Sequence, residues 1–306
     1  MTLFAPISEG RDDCKAGEAP ARSRASLSRV NTTAASAPSD APLASTRIGE
    51  GPRRVAFLHG LMGRGRNFTG PAKELGDDFT VELIDLPDHG ASPWTDRVDY
   101  REIADRVAAH LRAGLAADGP VHLLGHSMGG KVAMVLALRH PELVDRLIVE
   151  DISPRLSPQA TDEFVHLLGT MLRMDLDAYD SRAEADAAMA EHVHDARVRG
   201  FLLQNLRRTA GHFAWQPNVA MLFEHLREIG SFPDPVVPED PERVFDHPVL
   251  WLAGAESDYV QDEDVPRMKE LFPRVVRVTV RDAGHWLHAD QPEAFVSAVR
   301  TFLTAD

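Results

Sequence analysis

The chain has 306 residues, of which 43% are hydrophobic, enough for one large α/β domain or a core domain that carries an insertion. Its net charge of −14 argues against a surface for nucleic acid or anionic membranes, because binding phosphates requires clustered Lys and Arg. No apolar run is long enough to span a bilayer, and a single cysteine, Cys14, allows neither an intrachain disulfide nor a cysteine-based metal site.

Residues 1–46 are rich in Ala, Ser, Pro and Arg and show no hydrophobic period after Leu3 and Phe4. We predict a flexible N-terminal extension, part of which pairs as a first edge strand. The stretch lacks the continuous apolar segment of a secretory signal, and its acidic residues argue against an organellar transit peptide. We therefore expect a soluble, cytoplasmic protein, with an organellar matrix as the alternative location.

Predicted strands and helices alternate regularly from Arg53 onward. Strands are predicted at 55–58, 81–86, 121–124, 147–149, 249–253 and 275–280, and helices at 100–117, 131–139 and 292–303. Such alternation is typical of a parallel sheet with right-handed crossovers. We predict that residues 47–153 and 247–306 form one α/β core.

Residues 154–246 interrupt this alternation. Apolar residues there recur at helical spacing, as at Phe164, Leu167 and Met171, and no strand is predicted. Because ligands bind at the carboxyl ends of parallel strands, an insertion at this position would lie over the binding crevice. We interpret the segment as a helical cap, with a simple thickening of the fold as the alternative.

The motif GHSMG at residues 125–129 lies between a predicted strand and a predicted helix. It matches G-x-S-x-G, in which the serine occupies a strained strand-to-helix turn and the flanking glycines avoid collisions with neighbouring backbone. Ser127 would be the nucleophile, and the amide of Met128 would face developing negative charge. The alternative is an ordinary glycine-rich turn.

A nucleophilic serine requires a base that a third group orients. His285 follows the last predicted strand in the segment DAGHW, and its place after the serine in the chain agrees with the Ser–acid–His order. Asp151 ends the strand after the nucleophile's helix, whereas Asp258 follows the next strand but stands one residue beyond the usual position of the acid, here Ser257. We favour Asp151 as the acid, with Asp258 as the alternative.

The segment HGLMG at residues 59–63 directly follows the first strong strand. Its glycines allow close approach to substrate, and the amide of Leu61 would form an oxyanion hole with that of Met128. Aromatic residues that could line a substrate pocket are Phe201, Trp215, Phe223 and Trp286, although stripes at helical spacing also arise from ordinary packing.

Several motifs together resemble a group of small bacterial and mitochondrial α/β-hydrolase esterases. They are HGLMG at 59–63, DLPDHGASP at 85–93, GHSMGGKVAM at 125–134, EDISP at 150–154 and AGHWLHADQP at 283–292. The resemblance implies an α/β-hydrolase fold, with a mostly parallel sheet flanked by helices and a helical cap inserted after the sixth strand. It also implies hydrolysis of short-chain aryl esters and acyl-CoA thioesters, with Asp151 as the acid. Where the family has an RNHG loop, this chain has PDHG at 87–90.

We therefore predict a carboxylesterase-type serine hydrolase that uses Ser127, His285 and Asp151 and acts on a small-molecule ester or thioester. The proposed chemistry needs neither a metal nor a cofactor. Two alternatives retain the same fold. One is transfer of the acyl group to an acceptor other than water, or other hydrolase chemistry on the same triad. The other is a binding protein without catalytic activity.

Overall fold

The structure is a computed structural model that describes residues 41–156 and 158–305. Most of the predicted extension, residues 1–40, lies outside this part of the chain. None of the helices in the described ranges combines the length and the apolar composition needed to cross a bilayer.

A central sheet of seven strands organises the described chain, and a two-stranded hairpin lies apart from it. The strands are β1 (Ser45–Ile48), β2 (Arg53–Leu58), β3 (Phe79–Ile84), β4 (Val121–His126), β5 (Val144–Glu150), β6 (Leu206–Thr209), β7 (His212–Trp215), β8 (Val249–Gly254) and β9 (Val275–Val280). The order in the sheet is β1-β3-β2-β4-β5-β8-β9. All pairs are parallel except β1 with β3, so the predicted mostly parallel sheet is confirmed.

Helices cover both faces of the sheet. They are α1 (Thr69–Leu75), α2 (Tyr100–Ala113), α3 (Met128–Arg139), α4 (Pro158–Arg173), α5 (Arg182–Ala190), α6 (Ala196–Leu203), α7 (Val219–Glu224), α8 (Leu226–Gly230), α9 (Val265–Leu271), α10 (Leu287–Asp290) and α11 (Pro292–Thr304). Helices α1 and α11 pack in one apolar cluster, and α2, α3 and α9 pack in the other. Every residue of β4 is buried, as expected for a central parallel strand covered on both faces.

The edge strand β1 begins at Ser45, two residues before the predicted start of the core. It pairs antiparallel with β3, with Ser45 opposite Ile84. The prediction that part of the N-terminal region forms an edge strand is thus confirmed at residues 45–48.

The segment between β5 and β8 contains α4 to α8 together with the hairpin β6–β7. The prediction that no strand occurs between residues 154 and 246 was therefore wrong. The hairpin turns at Ala210 and Gly211, which both have positive φ, 51° and 92°. Two positive φ values in succession are typical of the tight turns that match strand twist. The insertion follows β5, the fifth strand of the described chain.

Candidate active site

Ser127 occupies the sharp turn between β4 and α3. Its φ of 52° and ψ of −120° are strained values for a residue with a side chain. A Cβ on Gly125 would lie 2.2 Å from the carbonyl oxygen of Gly129, and one on Gly129 would lie 2.4 Å from that of Leu58. Both flanking glycines are therefore required by neighbouring backbone, as the motif predicts.

His285 and Asp151 are hydrogen-bonded, with 2.8 Å between Nδ1 of the imidazole and Oδ2 of the carboxylate. Asp151 is fully buried, and its Oδ1 accepts a hydrogen bond from the amide of Gly254 at 2.9 Å. Because Nδ1 must carry the proton in this bond, the neutral ring has its lone pair on Nε2. The arrangement holds His285 in the tautomer that can accept a proton from a nucleophile.

The loop after β8 places Ser257 and Asp258 differently with respect to Asp151. The hydroxyl of Ser257, which occupies the usual position of the acid, donates a hydrogen bond to the carboxylate of Asp151. Asp258 is exposed, and its main-chain oxygen accepts a hydrogen bond from the side chain of Gln261 at 3.0 Å. The structure thus brings Asp151 to His285 and leaves Asp258 in solvent.

Two neighbours of His285 were not identified from the sequence. The ring of Tyr259 stacks on the imidazole, with 3.7 Å between centroids and 15° between planes. The ring centroid of His126 is 4.7 Å from that of His285, and its Nε2 is 2.8 Å from the carbonyl oxygen of His285. Both contacts restrict movement of the His285 imidazole. No sequence motif indicated the role of Tyr259, because it depends on how the loop after β8 folds.

The loop at residues 59–63 lies against Ser127. A Cβ on Gly60 would be 2.9 Å from Nδ1 of His126 and 3.1 Å from the Cβ of Ser127, so a side chain here would force these neighbours to shift. Among the described residues, the amide of Leu61 has no hydrogen-bond partner. The amide of Met128 belongs to the first turn of α3, where amides lack partners within the helix. Two amides beside the serine are therefore available to an oxyanion.

Two buried histidines support this loop. His59 bonds through Nδ1 to the carbonyl of Gly60 at 2.8 Å and accepts from the amide of Leu86 at 2.9 Å. His89 accepts from the amide of Met62 at 3.1 Å. Burial lowers the pKa of His59 from 6.5 to about 3, and it also lowers that of His89. Both rings therefore stay neutral at physiological pH and act as fixed braces.

We expect acid to destabilise the protein through these histidines. Between pH 6.5 and about 3, unfolded His59 binds a proton that folded His59 does not, so the free energy of unfolding falls as the pH falls. Each such proton contributes about 1.4 kcal/mol per pH unit. Urea unfolding at pH 7.5, 6.5 and 5.5 should show this decrease in the free energy of unfolding. His59→Gln should make the decrease smaller, by up to about 1.4 kcal/mol per pH unit. An unchanged decrease in that variant would refute the assignment.

A cavity of about 1050 Å³ opens beside Ser127 and His285. Phe201 and Trp286, two of the predicted pocket residues, line it, and their ring centroids are 5.2 Å apart. Trp215 and Phe223 do not line it in the described structure. The indole N–H of Trp215 instead donates to the carbonyl of Met171 at 3.1 Å, within the insertion. Those two aromatic residues contribute to packing, which is the alternative that their spacing allowed.

Among the described residues, one group could supply three ligand atoms to a metal ion: His126, Glu150 and His288, whose ligand atoms lie within 4.8 Å of one another. Glu150 is fully buried, and its Oε1 is 2.8 Å from Nδ1 of His288. The same oxygen accepts from the amide of His288 at 3.1 Å. These bonds attach the start of α10 to the end of β5.

Comparisons with known proteins extend over most of the chain. The model of the family described as the alpha/beta hydrolase family matches residues 55–298. The zebrafish (Danio rerio) protein named sn-1-specific diacylglycerol lipase ABHD11 is 36% identical over 254 residues, which cover 81% of this chain and 78% of that protein. Esterase YbfF of Escherichia coli (strain K12) is 28% identical, and the match covers 81% of this chain and 92% of the length of YbfF. A solved structure described as a marine microorganism esterase is 33% identical, with a TM-score of 0.80. The match covers 85% of this chain and 99% of that protein's chain.

Proposed function

Since the chain belongs to the alpha/beta hydrolase family, we propose that it is a carboxylesterase-type serine hydrolase with Ser127 as the nucleophile, His285 as the general base and Asp151 as the acid. Its substrates would be esters with short- to medium-chain acyl or aryl groups, and thioesters of the same acids. The esterases and the lipase among its relatives support ester cleavage.

One observation carries this proposal. The imidazole of His285 lines the same cavity as Ser127, and Nδ1 of that imidazole is hydrogen-bonded to a fully buried carboxylate. A buried carboxylate at this nitrogen stabilises the imidazolium that forms when the ring takes a proton. Nucleophile, base and acid come from the ends of β4, β9 and β5, which all meet at the carboxyl edge of the sheet.

The reaction would proceed in two stages. In the first, His285 takes the proton of Ser127 as the hydroxyl attacks the ester carbonyl, and then gives that proton to the departing alcohol. In the second, His285 activates water, which cleaves the acyl-enzyme and frees the acid. In both stages negative charge develops on the carbonyl oxygen, where the amides of Leu61 and Met128 would stabilise it. Such a donor contributes about 3 kcal/mol to the transition state.

We further propose that residues 154–246 act as a cap over a core of residues 47–153 and 247–306. Phe164, Val198 and Phe201 of the insertion line the large cavity together with Ser127 and His285. A cap of this kind would shield the bound ester from bulk water and would open to admit substrate and release product.

Labelling with a fluorophosphonate probe tests the proposal. The probe reacts with a serine that a neighbouring base activates, so the protein should be labelled at Ser127 and the label should be absent from Ser127→Ala. A matched control is Ser153→Ala, because Ser153 is buried and its hydroxyl bonds to the main-chain oxygen of Tyr259 and the carboxylate of Asp264. Lack of labelling in the folded wild-type protein would favour a binding protein that retains the fold.

A further inference from the structure

Arg64 is a buried cation whose donors are largely unused. It directly follows the segment HGLMG, and only 6% of its surface is exposed. Its Nε and Nη1 atoms are buried and have no hydrogen-bond partner in the described chain. These two nitrogens carry three of the five N–H groups of the guanidinium. Because a buried cation without acceptors is costly, the geometry favours an acceptor from outside the described residues.

The carboxylate of Asp85 does not fill this role, although its negative charge acts to raise the pKa of Arg64. One of its oxygens, Oδ1, accepts a hydrogen bond from the amide of Gly65 at 2.8 Å. The other, Oδ2, accepts from the amide of Ala91 at 2.9 Å. Asp85 therefore uses both oxygens to hold main-chain amides.

Three further arginines lie close enough to Arg64 to affect its charge. Arg66 belongs to the same loop, and Arg182 and Arg207 come from the insertion. Burial is the largest cause that lowers the pKa of Arg64, from 12.5 to about 10, and the positive charges of these three residues lower it further. Arg64 remains charged at neutral pH, so four cations repel one another here. In a chain of net charge −14, such a cluster indicates an anionic ligand.

Hydrogen bonds hold the two arginines of the insertion in place. The Nη1 and Nη2 atoms of Arg182 donate to the main-chain oxygens of Leu203, at 2.6 Å, and Leu206. Nε of Arg207 donates to the side-chain oxygen of Gln216 at 2.8 Å, which leaves the terminal nitrogens of Arg207 available to a ligand. Donors that are already positioned lose less entropy when a ligand binds.

The four arginines lie where the insertion meets the loop at residues 59–63. Asn205, next to the start of β6, donates through Nδ2 to the main-chain oxygen of Met62 at 2.7 Å. The side chain of Asn67 likewise donates to that of Gln204 at 2.8 Å. None of the four arginines lines either of the two cavities that border Ser127. An anion held by them would therefore be a second ligand, separate from the ester.

We propose that Arg64, Arg66, Arg182 and Arg207 bind a phosphate group, which joins the insertion to the loop at residues 59–63. A phosphate dianion has several acceptor oxygens and matches the planar fork of a guanidinium group. It supplies acceptors to Nε and Nη1 of Arg64 and offsets the repulsion among the four cations. Inorganic phosphate and the phosphate monoester of a larger molecule share this chemistry. The site does not depend on the proposed hydrolase mechanism.

Thermal unfolding of the whole protein at pH 7.5 tests this site. Inorganic phosphate at about 10 mM should raise Tm by about 2–5 °C relative to sodium chloride of the same ionic strength. Isothermal titration calorimetry measures the affinity. Glycerol 3-phosphate, tested in the same way, distinguishes a preference for a monoester from a preference for the free anion. If neither anion raised Tm or produced heat of binding, the proposal would be overturned.

Arg64→Met removes the buried charge and keeps an unbranched apolar side chain. Without phosphate, the variant should be at least as stable as the wild type, because the unpartnered cation is gone. Phosphate should no longer raise its Tm. A lower Tm of the variant combined with an undiminished response to phosphate would show that Arg64 serves packing alone.

A second comparison does not depend on how Arg64→Met folds. Arg207→Gln should weaken phosphate binding roughly tenfold, because it removes a charged donor from the site. Arg208→Gln is the matched control, since it removes the same charge at the next residue of β6. The guanidinium of Arg208 bonds instead to the main-chain oxygens of Asp180 and Gly211, so affinity should stay within about twofold. Equal losses in both variants would indicate general electrostatic attraction and contradict a defined site.

Discussion

Ser127→Ala should lower kcat for p-nitrophenyl butyrate by roughly six orders of magnitude, because the nucleophile and the acyl-enzyme route are lost together. The Oγ atom is the only part removed, and the turn that positions it depends on Gly125 and Gly129. The fold should therefore persist. Circular dichroism and the melting temperature check the fold, and steady-state kinetics with active-site titration measure the loss.

The residues of the proposed triad would act as a unit, which supplies a sharper control. Adding His285→Ala to Ser127→Ala should cause little further loss, because without the hydroxyl the imidazole has no proton to accept. Activity of Ser127→Ala within tenfold of the wild-type value would show that another group attacks the ester. A large additional loss in the double variant would show that His285 acts independently of Ser127.

Asp151→Asn should lower kcat by about four orders of magnitude while KM changes little. The Asn amide can donate a hydrogen bond to Nδ1 of His285, and the imidazole proton would then lie on Nε2. A protonated Nε2 cannot accept the proton of Ser127. The substituted side chain keeps an oxygen for the amide of Gly254, so folding should be preserved. Stopped-flow acylation rates and the melting temperature of the same preparation separate these effects.

Asp258→Asn is the matched substitution, because it makes the same chemical change one position beyond Ser257. Asp258 is exposed, and in the described structure only its main-chain oxygen forms a hydrogen bond, to Gln261, so kcat should stay within about twofold of the wild-type value. If Asp258→Asn caused the larger loss with the fold intact, the acid would be misassigned.

The sequence predicted the parts of the site that short motifs determine. A Cβ on Gly125 or Gly129 would lie only 2 to 3 Å from backbone atoms, so this turn requires glycine at both positions. The motif therefore predicts the turn. The order of strands and helices followed from apolar runs that parallel strands bury on both faces. The choice between Asp151 and Asp258 depends on the conformation of the loop that carries Ser257, which residue spacing alone does not determine.

The insertion was harder to predict because it contains both helices and a short β-hairpin, whose apolar residues recur at different spacings. The strands β6 and β7 have four residues each, and the alternation of Leu206 with Arg207 and Arg208 is too short to distinguish a strand from the end of a helix. Gly211 was the available signal for a hairpin turn. The sequence pattern around Trp215 and Phe223 does not distinguish them from Phe201 and Trp286. Only the fold shows that the latter two line the large cavity.

Rapid-quench mass spectrometry of the protein mixed with p-nitrophenyl butyrate identifies the residue that carries the acyl group during turnover. We expect a butyryl adduct on the peptide that contains Ser127, formed in the burst phase and lost as the acid is released. This expectation would be contradicted by turnover without any adduct on this peptide, or by an adduct on a different residue.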